Sequence, residues 1–110
     1  MEYKRTISIK AKMKVLPKGK SEGRETPIKN GYRPDHVFEY IQGKMLQAYI
    51  GEIRFTDFET IAPGEEKEVT VVFLPFPKMQ QYLQVGRKWW IHEGPRKVGE
   101  AIITEIVDHD

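Results

Sequence analysis

The chemistry open to this chain lies in its arginines and in one pair of tryptophans. Arg24, Arg33 and Arg96, with Arg87, Lys88 and Lys97 near the last of them in sequence, can converge into a basic patch at one end of a fold. A guanidinium presents a planar fork of donors that suits a phosphate or carboxylate. Such a patch predicts contact with an RNA backbone or an acidic protein; the alternative use of loop arginines is to lock turns by bonding backbone carbonyls or Glu93. Trp89 and Trp90 are adjacent. Neighbouring strand positions point to opposite faces, so one indole faces out if the other faces in. The outer ring can stack on a base, anchor a partner protein, or simply cover a neighbouring strand.

Other reactive groups are sparse. His36, His92 and His109 lack ligand spacing, Ser8 and Ser21 have no nearby histidine to activate them, and Glu65, Glu66 and Glu68 read as a solvated turn. The chain has no cysteine, which excludes a disulfide framework, a thiolate nucleophile and thiolate-ligated zinc, and fits a reducing cytoplasm. No G-x-x-x-x-G-K-[ST] run is present, so P-loop nucleotide hydrolysis is excluded. These observations predict a protein that is not an enzyme, with no cofactor and no metal.

The elements that must position these side chains read as strands. At 110 residues the chain allows one domain with a modest core. Tyr3, Ile7, Ile9, Ala11, Met13 and Val15 fall on odd positions with polar residues between them, the period of a half-buried strand. Val37 to Ile41 reads as a second strand, Tyr49 to Phe55 as a third, and Val69 to Leu74 as a continuous apolar run of the kind covered on both faces. Lys88 to His92 and Val98 to Val107 complete six. Gly43 to Ala48 is weakly patterned, a hairpin or a helical turn, and Lys78 to Leu83 suits one helical turn. Pro63-Gly64 sits at the centre of a candidate type II turn, and Pro75 and Pro77 must end the strand before them. Six strands with short Gly/Pro connections predict a closed antiparallel barrel, with a β-sandwich as the alternative.

Bulk charge is uninformative: 18 Lys and Arg against 16 Asp and Glu leave +2, with basic residues crowding the first twenty positions and Asp108 and Asp110 at the acidic end. No apolar run has membrane-spanning or signal-peptide character. A soluble, cytoplasmic protein is expected.

Three runs carry a resemblance. Gly23-Arg24-Glu25-Thr26-Pro27 leads to Gly31-Tyr32-Arg33-Pro34 and Val37-Phe38; Ala62-Pro63-Gly64-Glu65 precedes the Val-rich strand; Trp89-Trp90-Ile91-His92-Glu93-Gly94-Pro95-Arg96-Lys97-Val98-Gly99 lies near the end. In this order they resemble the C-terminal, third domain of translation elongation factor Tu, over about Ile7 to Val107 and without its GTPase. The resemblance implies a six-stranded antiparallel barrel with no catalytic residue of its own. It also implies a surface that docks neighbouring domains and an exchange partner, and one that contacts the T stem of aminoacyl-tRNA.

The family's tRNA-facing positions correspond to Arg24, Glu25, Thr26, Arg33, Asp35, Ile50, Glu93, Gly94 and Pro95. Arg24, Thr26, Arg33, Glu93 and Gly94 are as the family has them. Glu25 and Asp35 bring negative charge toward an anion, Ile50 lacks a donor, and Pro95 has no N–H. The chain is therefore expected to be a non-catalytic binding module, protein-docking in preference to RNA-binding, monomeric, with candidate contact residues Arg24, Thr26, Arg33, Trp89, Trp90, Glu93, Gly94 and Arg96. No nucleotide or membrane partner is expected.

Overall fold

A computed structural model describes residues 6–107. In chain order the strands are β1 (Ile7–Val15), β2 (Ile28–Lys29), β3 (Asp35–Val37), β4 (Tyr40–Ile41), β5 (Lys44–Met45), β6 (Ala48–Arg54), β7 (Thr60–Ile61), β8 (Glu66–Phe73), β9 (Lys88–Glu93) and β10 (Arg96–Val107). Six of them close an antiparallel barrel in the order β1-β10-β9-β3-β6-β8, with β8 pairing back onto β1. The expected class is thus observed, and the sandwich is not. Two small ribbons, β2 with β7 and β4 with β5, stand outside the barrel.

Alternation decides what enters the core. Along β1 the odd residues Ile7, Ile9, Ala11, Met13 and Val15 are buried while their neighbours are not. The proposed start of that strand at Tyr3 lies outside the described residues, as do Asp108, His109 and Asp110. Along β6 Tyr49, Gly51 and Ile53 are buried and Ile50 points outward.

Two expectations need correction. Val37 to Ile41 is not one strand: β3 ends at Val37 and pairs β6 and β9, whereas Tyr40 and Ile41 leave the barrel as one arm of the β4–β5 ribbon. Positive φ at Gln42 (52°) and Gly43 (78°) makes its tight turn, so the unassigned stretch is a hairpin. The run Val69 to Leu74 is not covered on both faces. Val69, Val71 and Phe73 are buried, but Val72 is half-buried and Leu74 exposed. A closed barrel gives each strand one inner face, and among the described residues none covers Leu74 on the outside of this wall.

Turn chemistry explains the ends. Glu65 N–H donates to the Ala62 carbonyl (2.9 Å) and Gly64 has φ 92°, the positive value that the third turn position wants. Pro75 and Pro77 follow β8, and Pro77 opens the 3₁₀ helix Pro77–Tyr82, which buries Met79 and Tyr82. There Phe38 stacks on Tyr82 (4.9 Å between centroids) and on Trp89 (5.3 Å), forming an aromatic plug. Among the described residues no helix is long and apolar enough to cross a membrane.

Candidate functional site

The two arginine-bearing runs, some seventy residues apart in sequence, meet in space and bond one another. Arg96 Nε–H donates to the Gly23 carbonyl (2.7 Å), and its Nη2 donates to the carbonyls of Glu22 (2.8 Å) and Gly19 (3.0 Å). Gly23 N–H returns a bond to the Lys97 carbonyl (2.7 Å). Gly23 itself has φ 86°, and a Cβ there would lie 1.9 Å from the Pro17 carbonyl oxygen. Only glycine fits that crossing.

Arg24 is committed in the same way. Its Nε donates to the Thr26 carbonyl (2.7 Å), Nη2 to the Thr26 hydroxyl (3.0 Å), and Nη1 to Glu93 and to the Tyr32 hydroxyl. The guanidinium also lies over the Tyr32 ring, 5.2 Å from its centroid. Tyr32 in turn donates to Glu93, and burial with the Glu93 carboxylate beside it holds the phenol well above its ordinary range. Gly94, with φ 61°, and Pro95 form the two-residue turn joining Glu93 to Arg96. Arg24, Thr26, Glu93, Gly94 and Arg96 therefore do converge, but as a lock in which Arg24 donates from all three guanidinium nitrogens and Arg96 from two of its three.

The remaining candidates separate. Arg87 donates to the Phe38 carbonyl (2.5 Å) and covers the Tyr82 ring, and Lys88 pairs with Glu100 (3.5 Å). They stand at the opposite end of β9 from Glu93, roughly 17 Å away along a six-residue strand. One basic patch from all six residues does not form.

Trp89 is the inward ring and is fully buried, so it cannot be the indole that meets a partner. Its Nε1–H donates to His36 Nδ1 (2.9 Å), and His36 Nε2–H donates to the Gly51 carbonyl (3.0 Å). This chain fixes the neutral tautomer, and burial lowers the His36 pKa from 6.5 to about 4. Gly51 permits the approach: a Cβ there would lie 2.7 Å from the Phe73 ring. Trp90 is the outward ring, half-buried because Tyr40 packs against it edge-on (5.2 Å). The Tyr40 hydroxyl sits 2.5 Å from His92 Nε2. Burial lowers the His92 pKa, the Gly94 and Pro95 backbone opposes that shift, and Nδ1 has no hydrogen-bond partner among the described residues. His36 and His92 lie on neighbouring strands but opposite faces, and among the described residues no cluster of three or more potential metal ligands gathers.

Arg33 has a different setting. It is exposed, without a bonding partner among the described residues, at the rim of a groove of about 160 Å³ on the outer wall. Ile50 from β6, Val72 from β8 and Leu74 just beyond the end of β8 line that groove, with Ile50 59% and Leu74 45% exposed. Sequence reasoning found Arg33 and Ile50 but not Val72 and Leu74, whose apolar run reads as core. It also missed Tyr32, Tyr40 and the His36–Trp89 pair. Tyr32 lies within a motif that drew attention to its neighbours, whereas nothing in the sequence joins His36 to a tryptophan 53 positions away. No protein-family model matches the chain.

Proposed function

We propose that this chain is a non-catalytic binding module, its barrel resembling the third domain of elongation factor Tu, and that it docks a protein through the outer wall formed by β6 and β8. One observation carries this proposal: the arginines best suited to phosphate are used up in holding loops, while Ile50, Val72 and Leu74 are left open around Arg33. An exposed apolar strip beside one free guanidinium has the composition of a protein interface, where an aliphatic centre is ringed by polar groups. An RNA backbone instead asks for several unpaired cations along its track, because affinity there grows with the number of phosphates neutralised. Glu25, which pairs Lys18 (3.5 Å), and Asp35 add negative charge against that use.

The order of the three motifs supports the likeness to the translation factor, as does the six-stranded closed barrel. The likeness would place the work in translation, in the cytoplasm. Affinity capture from the source cells, followed by reconstitution with the purified partner, tests the docking. Ile50→Glu and Leu74→Glu should each weaken that complex at least about tenfold with only a mild salt dependence. A steeply salt-dependent complex with total tRNA, lost in Arg33→Ala and indifferent to Ile50→Glu, would replace the protein reading with the RNA one.

A further inference from the structure

The most anomalous side chain in the molecule is Phe58. Its ring is fully exposed, and its backbone holds φ 70° without being glycine. A bulky residue in that region is a conformational cost that the surrounding structure must enforce. The enforcement is visible. Asn30 Nδ2–H donates to Asp57 Oδ1 (2.6 Å), Phe55 N–H donates to Asn30 Oδ1 (2.7 Å), Glu59 N–H donates to the Thr56 carbonyl (3.2 Å), and Lys67 pairs with Glu59 (2.7 Å). The tip is fastened on both sides of Phe58, so the ring is presented to solvent by a rigid support.

Elsewhere on the surface lies a receptacle of matching size and opposite charge. The Ile50–Val72–Leu74 groove holds about 160 Å³, and an apolar cavity on the order of 150 Å³ takes up a benzene ring. Of the two carboxylates flanking Phe58, Glu59 pairs with Lys67, whereas Asp57 accepts from a neutral amide and has no cationic partner among the described residues. Among the described residues the groove's unpaired charge is Arg33, since Arg54 pairs with Glu52 (3.2 Å). Ring and groove are also close in the chain: Arg54, at the groove, precedes Phe58 by four residues.

We propose that two copies of this chain pair about a two-fold axis, Phe58 of each entering the Ile50–Val72–Leu74 groove of the other with Asp57 facing Arg33. The proposal rests on the docking surface assigned above and names its occupant. An acidic flank disfavours an anionic membrane as the alternative seat for the ring, and the reciprocal arrangement closes at two subunits without leaving either feature open. With only two small reciprocal contacts the pair should be weak, with a Kd on the order of 10⁻⁴ M.

Sedimentation equilibrium of the full chain, over a concentration series to about 1 mM, tests it. A reversible monomer–dimer equilibrium is expected. Phe58→Gly should weaken it at least about tenfold while raising the melting temperature, since glycine relieves the backbone strain. A ring that merely covers the loop would lower it. Arg33→Asp should weaken pairing, and so should Asp57→Asn, which keeps an oxygen for Asn30 while removing the charge. A monomer at every concentration, a dimer indifferent to Phe58→Gly, or a ladder of larger species would each overturn the pairing. If the chain stays monomeric yet Ile50→Glu still breaks a reconstituted complex, the pairing fails while the docking surface stands.

Discussion

At one end of the barrel Arg24 donates from all three guanidinium nitrogens and Arg96 from two of its three, while on the outer wall Arg33 stands beside open aliphatic side chains with no partner among the described residues. The three arginines look alike in sequence, each next to a glycine, tyrosine or proline in a loop. Their surroundings divide them into structural cross-links and a surface group available to a partner. A motif with several arginines is thus not by itself a phosphate site; the count that matters is of donors left over after the loops are tied.

The largest expected difference lies at the lock. Gly23→Ala puts a methyl group into the Pro17 carbonyl at a φ of 86°, and should cost at least about 3 kcal/mol in urea unfolding. An unchanged midpoint would mean that the two runs are not joined as described.

Behind the open wall, the buried His36 gives an effect of similar size. Its folded pKa of about 4 lies below the unfolded 6.5, so the unfolded chain takes up the proton first. Stability should be complete above about pH 6.5 and fall as pH drops toward 4, by about 3 kcal/mol from this group. An imidazole NMR titration near pH 6.5 in the folded protein would contradict the Trp89–His36–Gly51 chain.

The arginines then provide the direct contrast. Arg96→Ala removes bonds to three carbonyls, of which Glu22's keeps its bond from Gly19 N–H, and should cost about 2 kcal/mol, whereas Arg33→Ala should change stability by less than about 0.5 kcal/mol. Comparable losses at both positions, read from thermal or denaturant midpoints, would erase the distinction between lock and wall.

Much of the barrel was legible because one-sided burial writes itself into period two, as in Ile7 to Val15 and Tyr49 to Phe55. The Val69 to Leu74 run misled for the converse reason: an apolar outer face on a strand looks the same in sequence whether a neighbour covers it or not. Of the candidate site, the residue types were legible and the partners were not. Arg24 meets Glu93 across 69 positions, and Arg96 meets Gly23 across 73.

Local composition was enough to settle the all-β class, the number of barrel strands, the Pro63-Gly64 turn and the impossibility of thiol or P-loop chemistry, since each depends on neighbours within a few residues. Which arginine is spent and which is free, which indole is buried, and where the aliphatic groove opens were decided only by closure of the barrel. Closure brings together donors and acceptors from distant strands, and pairing at such range leaves no periodic mark in the chain.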